Sequence, residues 1–243
     1  GTTLSPAMIG LLAAAGIDEV EVRRAPRVAV LLFGDELVET GVAQVGQVRD
    51  ALGPQLPAWV RRMGGVVLEV RRVRDTLDAH VSALRDASAD ADVVMTTGGT
   101  AAGPVDHLHA AVSEIGGRFV VDSVAVRPGH PMALAQVEQV WLLALPGNPQ
   151  SAIVSLLSLG QPLFDALLGR SPRDLPQVTL AEGATAPEHE HRLLACELSG
   201  VTATPAQHLG SAMLRGLAAA DGFAVLPPGG ADGGDIVGWL ALP

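Results

Sequence analysis

From Arg27 onward, short runs of aliphatic and β-branched residues alternate with longer helical stretches, and this alternation constrains the fold more than any other feature of the chain. Four runs have the character of strands: residues 28–33, 66–70, 93–97 and 119–121. The stretches between them, at about 50–64, 77–90 and 106–116, are long enough for crossover helices. Because strands that are apolar on both faces are typical of buried parallel sheets, the pattern predicts an α/β fold with three layers and a mostly parallel sheet.

The second half of the chain predicts a hairpin, a helix and then a small all-β domain. Residues 132–136 and 140–145 flank a short polar turn, a helix follows at about 150–168, and residues 172–176 read as a linker. Residues 1–22 read as a short amphipathic helix capped by Ser5, with no obvious partner. The predicted domains are therefore residues 1–24, the tail of an N-terminal or linker region, residues 25–171 and residues 175–243.

Charge and composition exclude several classes of function. The formal net charge is −10, which repels polyanions, so no nucleic-acid partner is expected. The apolar segment at 8–16 is much shorter than the ~20 residues that a membrane span requires, so no membrane partner is expected either. The single Cys196 cannot form an internal disulfide, which favours the reducing cytoplasm.

The strongest local signal is the turn at residues 96–100, Thr-Thr-Gly-Gly-Thr, which follows a predicted buried strand and precedes a helix. Open α/β sheets bind ligands beyond the carboxyl ends of their strands, where glycines let backbone N–H groups approach a phosphate. We expect a phosphate-binding turn here. The alternative is a glycine-rich turn without a ligand.

Three acidic residues follow predicted strand ends: Glu36, Asp75 and Asp106. Gathered at one edge of a sheet, they would suit a divalent cation or the polarisation of an oxyanion. Taken alone, Asp106 fits a helix N-cap better than a functional acid.

Two rigid turns, residues 127–131 and 145–149, place Gly and Pro where strands end. Arg127 in the first turn could hold an anion through its guanidinium group, although either turn alone could be purely structural. His107 and His109 are two residues apart and cannot share a helical face, so we expect both at the surface.

Six separated segments together resemble the molybdopterin molybdenumtransferase family, which includes the E domain of gephyrin: residues 26–37, 46–50, 73–75, 97–106, 127–131 and 145–151. The resemblance implies a molybdopterin-binding domain, a C-terminal β-barrel domain and the end of an N-terminal region, whose preceding domains we expect before Gly1. It implies insertion of molybdenum from molybdate into adenylylated molybdopterin with release of AMP, assisted by Mg²⁺ or another divalent cation. It also implies a homodimer, and a molybdopterin adenylyltransferase as a partner.

Residue roles follow from the same resemblance. Glu36, Asp75 and Asp106 would be the catalytic and metal-binding acids. The positions implied to bind the cofactor are Gly34, Asp35, Gly98, Gly99, Thr100, Arg127, Pro146, Gly147, Asn148, Pro149 and Ser211.

The sequence departs from the family pattern at the anion-binding positions. His130 and Ser123 stand where the family has Lys, Arg127 stands where it usually has Lys, and residues 100–103 read Thr-Ala-Ala-Gly instead of Val-Ser-Val-Gly. Two alternatives therefore stay open. One is molybdopterin adenylyltransferase activity in the same α/β domain, and the other is a paralogue that binds or scaffolds without catalysis.

Overall fold

A three-layer α/β domain forms the first part of this computed structural model, which describes residues 2–100, 107–172, 174–207, 210 and 214–243. The elements of the first part, in chain order, are α1 (Pro6–Ala14), β1 (Arg27–Phe33), β2 (Leu37–Val38), β3 (Val48–Arg49), α2 (Leu52–Met63), β4 (Val66–Val73), α3 (Leu77–Ser88), β5 (Val93–Thr97), α4 (Leu108–Glu114), β6 (Arg118–Asp122), β7 (Val126–Arg127), β8 (Ala133–Val137), β9 (Val140–Leu145), α5 (Pro149–Ser155), a π-helical segment (Leu156–Gly160) and α6 (Gln161–Leu167). The elements of the second part are β10 (Gln177–Leu180), β11 (Ala184–Thr185), β12 (His191–Ser199), β13 (Thr202–Pro205), α7 (Leu214–Ala219), β14 (Gly222–Leu226), β15 (Gly230–Ala231) and β16 (Ile236–Ala241).

The central sheet has six strands in the order β4-β1-β5-β9-β8-β6. The first four are parallel to one another, whereas β8 runs antiparallel to both β9 and β6. The predicted mostly parallel sheet and the hairpin of β8 and β9 are therefore confirmed. The antiparallel strand results from the short turn at 138–139, which can only reverse the chain.

Two apolar layers bury the faces of this sheet. Val28, Val30 and Leu32 of β1 pack with α2 and the α5–α6 helix on one side, while alternate residues of the same strand pack with α3 and α4 on the other. Helix α2 contributes a stripe of buried residues at helical spacing, Leu52, Leu56, Val60 and Met63. A strand buried on both faces cannot slip in register without losing both layers, so β1 and its neighbours form a rigid platform.

The helix predicted at 150–168 is continuous, but it is not α-helical throughout. Five residues in its middle, Leu156–Gly160, are π-helical. At the preceding turn the Ser155 hydroxyl donates a 2.7 Å hydrogen bond to the Ser151 carbonyl oxygen. A hydroxyl bonded back to the helix backbone commonly bends a helix, and π-helical turns often occur near functional sites.

The second domain is a small barrel. Five strands, β10, β16, β14, β12 and β13, close into a ring because β13 pairs with both β10 and β12. Their inward residues, including Leu194, Cys196 and Trp239, form a separate core. The predicted C-terminal β-barrel is confirmed, with one short helix, α7, between β13 and β14. One pairing was not expected from sequence: β7 of the first domain adds to this sheet beside β12.

Helix α1 lies outside both cores. Its predicted cap is confirmed, because the Ser5 hydroxyl accepts a 3.2 Å hydrogen bond from the Met8 amide. The expectation that the helix has no obvious partner agrees with the described part of the chain, where no residue of α1 is buried and Leu11 is 70% exposed. None of the helices in that part has the length and apolar character needed to cross a bilayer.

Asp92, just before β5, connects β1 to the segment that enters it. Its carboxylate accepts hydrogen bonds from both terminal nitrogens of Arg24 and a 2.7 Å hydrogen bond from the Arg27 amide. The hydrogen bond from Arg24 holds the pKa of Asp92 below its ordinary value.

We expect Asp92→Asn to lower the free energy of unfolding by about 1–2 kcal/mol, because hydrogen bonds to a charged carboxylate are weakened. A depressed carboxyl pKa stabilises the fold above the unfolded pKa near 4, and this stabilisation is lost as the pH falls through the folded pKa. Urea unfolding between pH 7 and pH 2 should show the difference from wild type shrinking at low pH. Asp90→Asn, at an exposed position two residues away, is the control, and a cost that does not change with pH would contradict the assignment.

Candidate functional site

The candidate site lies at one edge of the central sheet, where four neighbouring parallel strands end together. Phe33 pairs with Val73, and Thr97 pairs with both Leu32 and Leu145. The loops that follow these strands carry most of the predicted site residues: Gly34, Asp35 and Glu36 after β1, Asp75 after β4, Gly98, Gly99 and Thr100 after β5, and Pro146, Gly147, Asn148 and Pro149 after β9. Asp106 and Ser211 lie outside the described residues.

The glycine turn after β5 packs tightly against its neighbours. Gly98 has φ +80°, and its amide donates a 3.0 Å hydrogen bond to the Leu145 carbonyl oxygen. A Cβ at Gly98 would lie 3.0 Å from the Phe33 carbonyl oxygen, and a Cβ at Gly147 would lie 3.7 Å from the Gly98 Cα. The turns after β5 and β9 therefore touch, which only small residues in this conformation allow.

Two of the three predicted acids can be placed. Glu36 is exposed, and its carboxylate folds back over Gly34, where an added Cβ would lie 2.8 Å from Oε2. Asp75 is partly exposed on the neighbouring strand end. Among the described residues there is no group of three or more His, Cys, Asp or Glu side chains arranged to hold a metal ion, so a three-acid site that includes Asp106 stays a prediction.

A buried histidine lies beneath these acids. His80, in the first turns of α3, is 0% exposed and stacks on Phe33 with ring centroids 3.8 Å apart. Its Nε2 lies 3.4 Å from Oδ1 of Asp75. Burial lowers the pKa of His80, whereas the nearby carboxylates of Asp75 and Asp35 raise it; burial has the larger effect.

The prediction that both His107 and His109 lie at the surface is only half right. His109 is exposed, with its Nε2 2.8 Å from Oδ1 of Asp122. His107 is half-buried, and its ring lies edge-on to His80 with centroids 5.6 Å apart. The sequence spacing correctly predicted that the two side chains lie apart. It could not show that the His107 ring contacts His80.

A cleft of about 430 Å³ opens between the two domains beside the same sheet edge. Strand β7 pairs in parallel with β12, and this register places Arg127 beside Arg192. Both arginines line the cleft, and so do His130, Ser151, Pro146 and Asn148. Pro146 and Asn148 belong to the turn after β9, which touches the glycine turn through Gly147, so the cleft lies next to the glycine turn. Gly210, immediately before Ser211, also lines it.

The two arginines are held in place by neighbouring acceptors. Arg127 Nε donates a 2.7 Å hydrogen bond to Oε2 of Glu190, and an Arg192 terminal nitrogen donates a 2.7 Å hydrogen bond to the Thr185 carbonyl oxygen. Only one of the two positive charges is thus paired with a carboxylate in these contacts. A tetrahedral oxyanion between them would meet donors that are already oriented.

Sequence reasoning missed Arg192 and His80. Arg192 is the second residue of β12 and directly precedes four buried residues, Leu193 to Cys196. A charged residue there is a weak signal. His80 shares the buried face of α3 with Leu84 and Ala87, and a lone histidine on an apolar stripe is a stronger one. In both cases the partner residue comes from a distant segment, so local sequence patterns could not predict the contact.

Comparisons with known proteins agree with this architecture. A family model described as "Probable molybdopterin binding domain" matches residues 29–166, and one described as "MoeA C-terminal region (domain IV)" matches residues 177–242. A molybdopterin molybdenumtransferase of Haemophilus influenzae is 35% identical over 171 residues, which are 70% of this chain and 42% of that protein. One from Staphylococcus aureus strain COL is 29% identical over 237 residues, covering 94% of this chain and 56% of the relative.

A solved structure shows the same fold. The MoeA molybdopterin biosynthesis protein from Pyrococcus horikosii superposes with a TM-score of 0.83 at 27% identity, covering 98% of this chain and 60% of the other. The chain thus spans about half the length of the curated relatives that it matches.

We expect Gly98→Ala to cost more stability than Gly116→Ala, although both glycines have φ near +78°. Alanine in the left-handed region costs about 1–2 kcal/mol at either position. At Gly98 the new Cβ would also press on the Phe33 carbonyl oxygen, whereas at Gly116 nothing lies within 4 Å. Chemical unfolding of the two variants measures the difference, and equal costs would show that the turn after β5 is looser than described.

Proposed function

From the premise that this chain belongs to the family of the molybdopterin-binding domain, we propose that the protein inserts molybdenum from molybdate into adenylylated molybdopterin and releases AMP. The observation that carries the proposal is the junction of the glycine turn with the cleft that contains Arg127 and Arg192. One surface thus offers both backbone donors for a phosphate and paired guanidinium groups for a second anion.

The two ends of this surface have different tasks in the proposal. The pterin phosphate lies at the turn of Gly98, Gly99 and Thr100, where the glycine-rich sequence predicts a phosphate-binding turn. Molybdate, a tetrahedral oxyanion, lies between Arg127 and Arg192, where Ser151 is nearly buried at the start of α5. Helix N-termini favour negative charge, so the start of α5 supports the same assignment.

The donor set at the sheet edge fits Mg²⁺. Carboxylate oxygens are the ligands that this hard cation prefers, and it commonly takes one or two carboxylates together with substrate phosphates. Glu36 and Asp75 follow neighbouring strands of the sheet, and Asp106 would add a third carboxylate. When bound there, the cation would offset the negative charge of the phosphate groups.

The second domain favours insertion over the alternatives. The α/β fold alone is compatible with adenylyltransferase activity, for which residues 100–103 are the sequence argument. The cleft, however, needs Arg192 of the barrel, and the barrel matches the MoeA C-terminal region. A scaffold without catalysis would not require paired arginines that face an open cleft.

The proposal includes a cytoplasmic homodimer that receives its substrate from a molybdopterin adenylyltransferase. Support for the dimer comes from the loop between β2 and β3, in which Val42 and Val45 are 93% and 106% exposed. Isolated apolar side chains are common on surfaces, but neighbouring ones this exposed are typical of residues that a partner covers. The single buried Cys196 is compatible with a reducing compartment.

We expect Arg192→Gln in the intact protein to raise the molybdate concentration needed for half-maximal insertion by about tenfold or more, since one charge-assisted contact is worth about 1.5–3 kcal/mol. Insertion is measured as molybdenum cofactor formed from adenylylated molybdopterin, with calorimetry of the same ligand to report binding. Arg61→Gln, at an exposed position of α2, is the matched control. If the wild type neither binds adenylylated molybdopterin nor forms cofactor, the proposed function is wrong.

The dimer has its own test. Sedimentation equilibrium of the intact protein should give a dimer, and the double substitution of Val42 and Val45 by Asp should raise its dissociation constant by about tenfold or more, because charge is introduced into an apolar contact. Val201→Asp, at a 69% exposed position of the barrel, should leave it unchanged. A monomeric wild type would remove the dimer from the proposal.

A further inference from the structure

His80 is a buried side chain that contacts residues in or next to the segments of the predicted acids. It stacks on Phe33, which immediately precedes the Gly34–Glu36 turn. It lies against Asp75 itself, with 3.4 Å between Nε2 and Oδ1. It also meets the ring of His107, the residue that follows Asp106 in the chain.

Packing alone does not explain an imidazole at this position. Neither ring nitrogen makes a well-aligned hydrogen bond within the described part of the chain, where the Asp75 contact is the nearest to one. Burying polar atoms without full hydrogen bonding costs free energy. The buried neighbours of His80 on α3 are apolar, so a leucine would fill the same space without that cost.

The contact with Asp75 is what an apolar side chain could not supply. An imidazole carries at least one N–H donor, and Nε2 is the ring nitrogen 3.4 Å from Oδ1 of Asp75. The stacked Phe33 ring restricts how the imidazole can turn. A proton on Nε2 would therefore lie beside Oδ1, the Asp75 oxygen nearest the ring.

We propose that His80 is a positioning residue that orients the Asp75 carboxylate, beside the Gly34–Glu36 turn, for a divalent cation. The inference rests on the proposed function, because it assigns Asp75 to the cation. His80 does not contact the cation itself. Groups that orient metal ligands in this way commonly change metal affinity by about 10- to 100-fold when removed.

The test compares His80→Leu with His80→Gln in the intact protein, using Mn²⁺ alone as the probe and electron paramagnetic resonance to measure free Mn²⁺. Leu preserves apolar volume but removes the donor, and we expect it to weaken Mn²⁺ binding by about tenfold or more. Gln keeps an N–H donor at similar reach, and we expect binding within about threefold of wild type. Asp75→Asn is the reference for loss of a ligand. Thermal unfolding of each variant shows that it is folded. If His80 had a purely structural role, its substitution would lower stability, but the Leu and Gln variants would not differ in Mn²⁺ affinity.

The outcomes separate the inference from the proposed function. If Asp75→Asn weakens Mn²⁺ binding and His80→Leu does not, the positioning role is overturned while the cation site stands. If wild type and Asp75→Asn bind Mn²⁺ alike, Asp75 does not bind the cation. A double-mutant cycle of His80→Leu and Asp75→Ala in urea unfolding then shows whether His80 orients Asp75. Orientation of Asp75 by His80 requires a coupling of about fivefold in the folding equilibrium constant, and additive effects would overturn it.

Discussion

The candidate site depends on the parallel hydrogen bonding of β4, β1, β5 and β9. β1, β5 and β9 are largely buried between two apolar layers, so their backbone N–H and C=O groups must find partners within the sheet. β4 is the partly exposed edge strand. Val28 to Phe33 are at most 3% exposed, and a shift of one residue would turn each apolar side chain to the wrong layer. The register is therefore rigid. Because parallel strands point the same way, their carboxyl ends meet at one edge, and the loops that carry the glycine turn and the acids are brought together there.

A second pairing extends this edge across the domain boundary. Strand β7 leaves the α/β domain and adds to the barrel beside β12, which sets Arg127 next to Arg192. Adjacent positive charges repel one another, and Glu190 and the Thr185 carbonyl oxygen partly offset this by holding the two guanidinium groups. The remaining positive potential faces a cleft that continues from the turn after β9. Anion binding would relieve the repulsion, so the structure that joins the domains is also the one that favours a charged ligand.

Much of this fold could be predicted from local pattern. The apolar runs identified β1 and β5 within one residue, and the Ser5 cap located the start of α1. The glycine pair before a helix identified the turn after β5, because few other uses explain adjacent glycines at a strand end. Two features escaped the same reasoning: the π-helical segment, and the pairing of β7 with β12. The pairing depends on residues far apart in sequence. The acids were predicted as a group of three, and the structure describes Glu36 and Asp75 at neighbouring strand ends.

The sequence by itself determined which segments become strands and helices, which loops follow the strands, and which residue types those loops contain. These features follow from periodicity and backbone chemistry within short stretches of sequence. Only the tertiary structure decided that Arg192 of the barrel would face Arg127, and that His80 would lie under Asp75 with its ring against Phe33. The physical reason is burial. The position of a side chain in the core or at a domain junction depends on the residues from elsewhere in the chain that pack against it. Local secondary-structure propensity does not specify those residues.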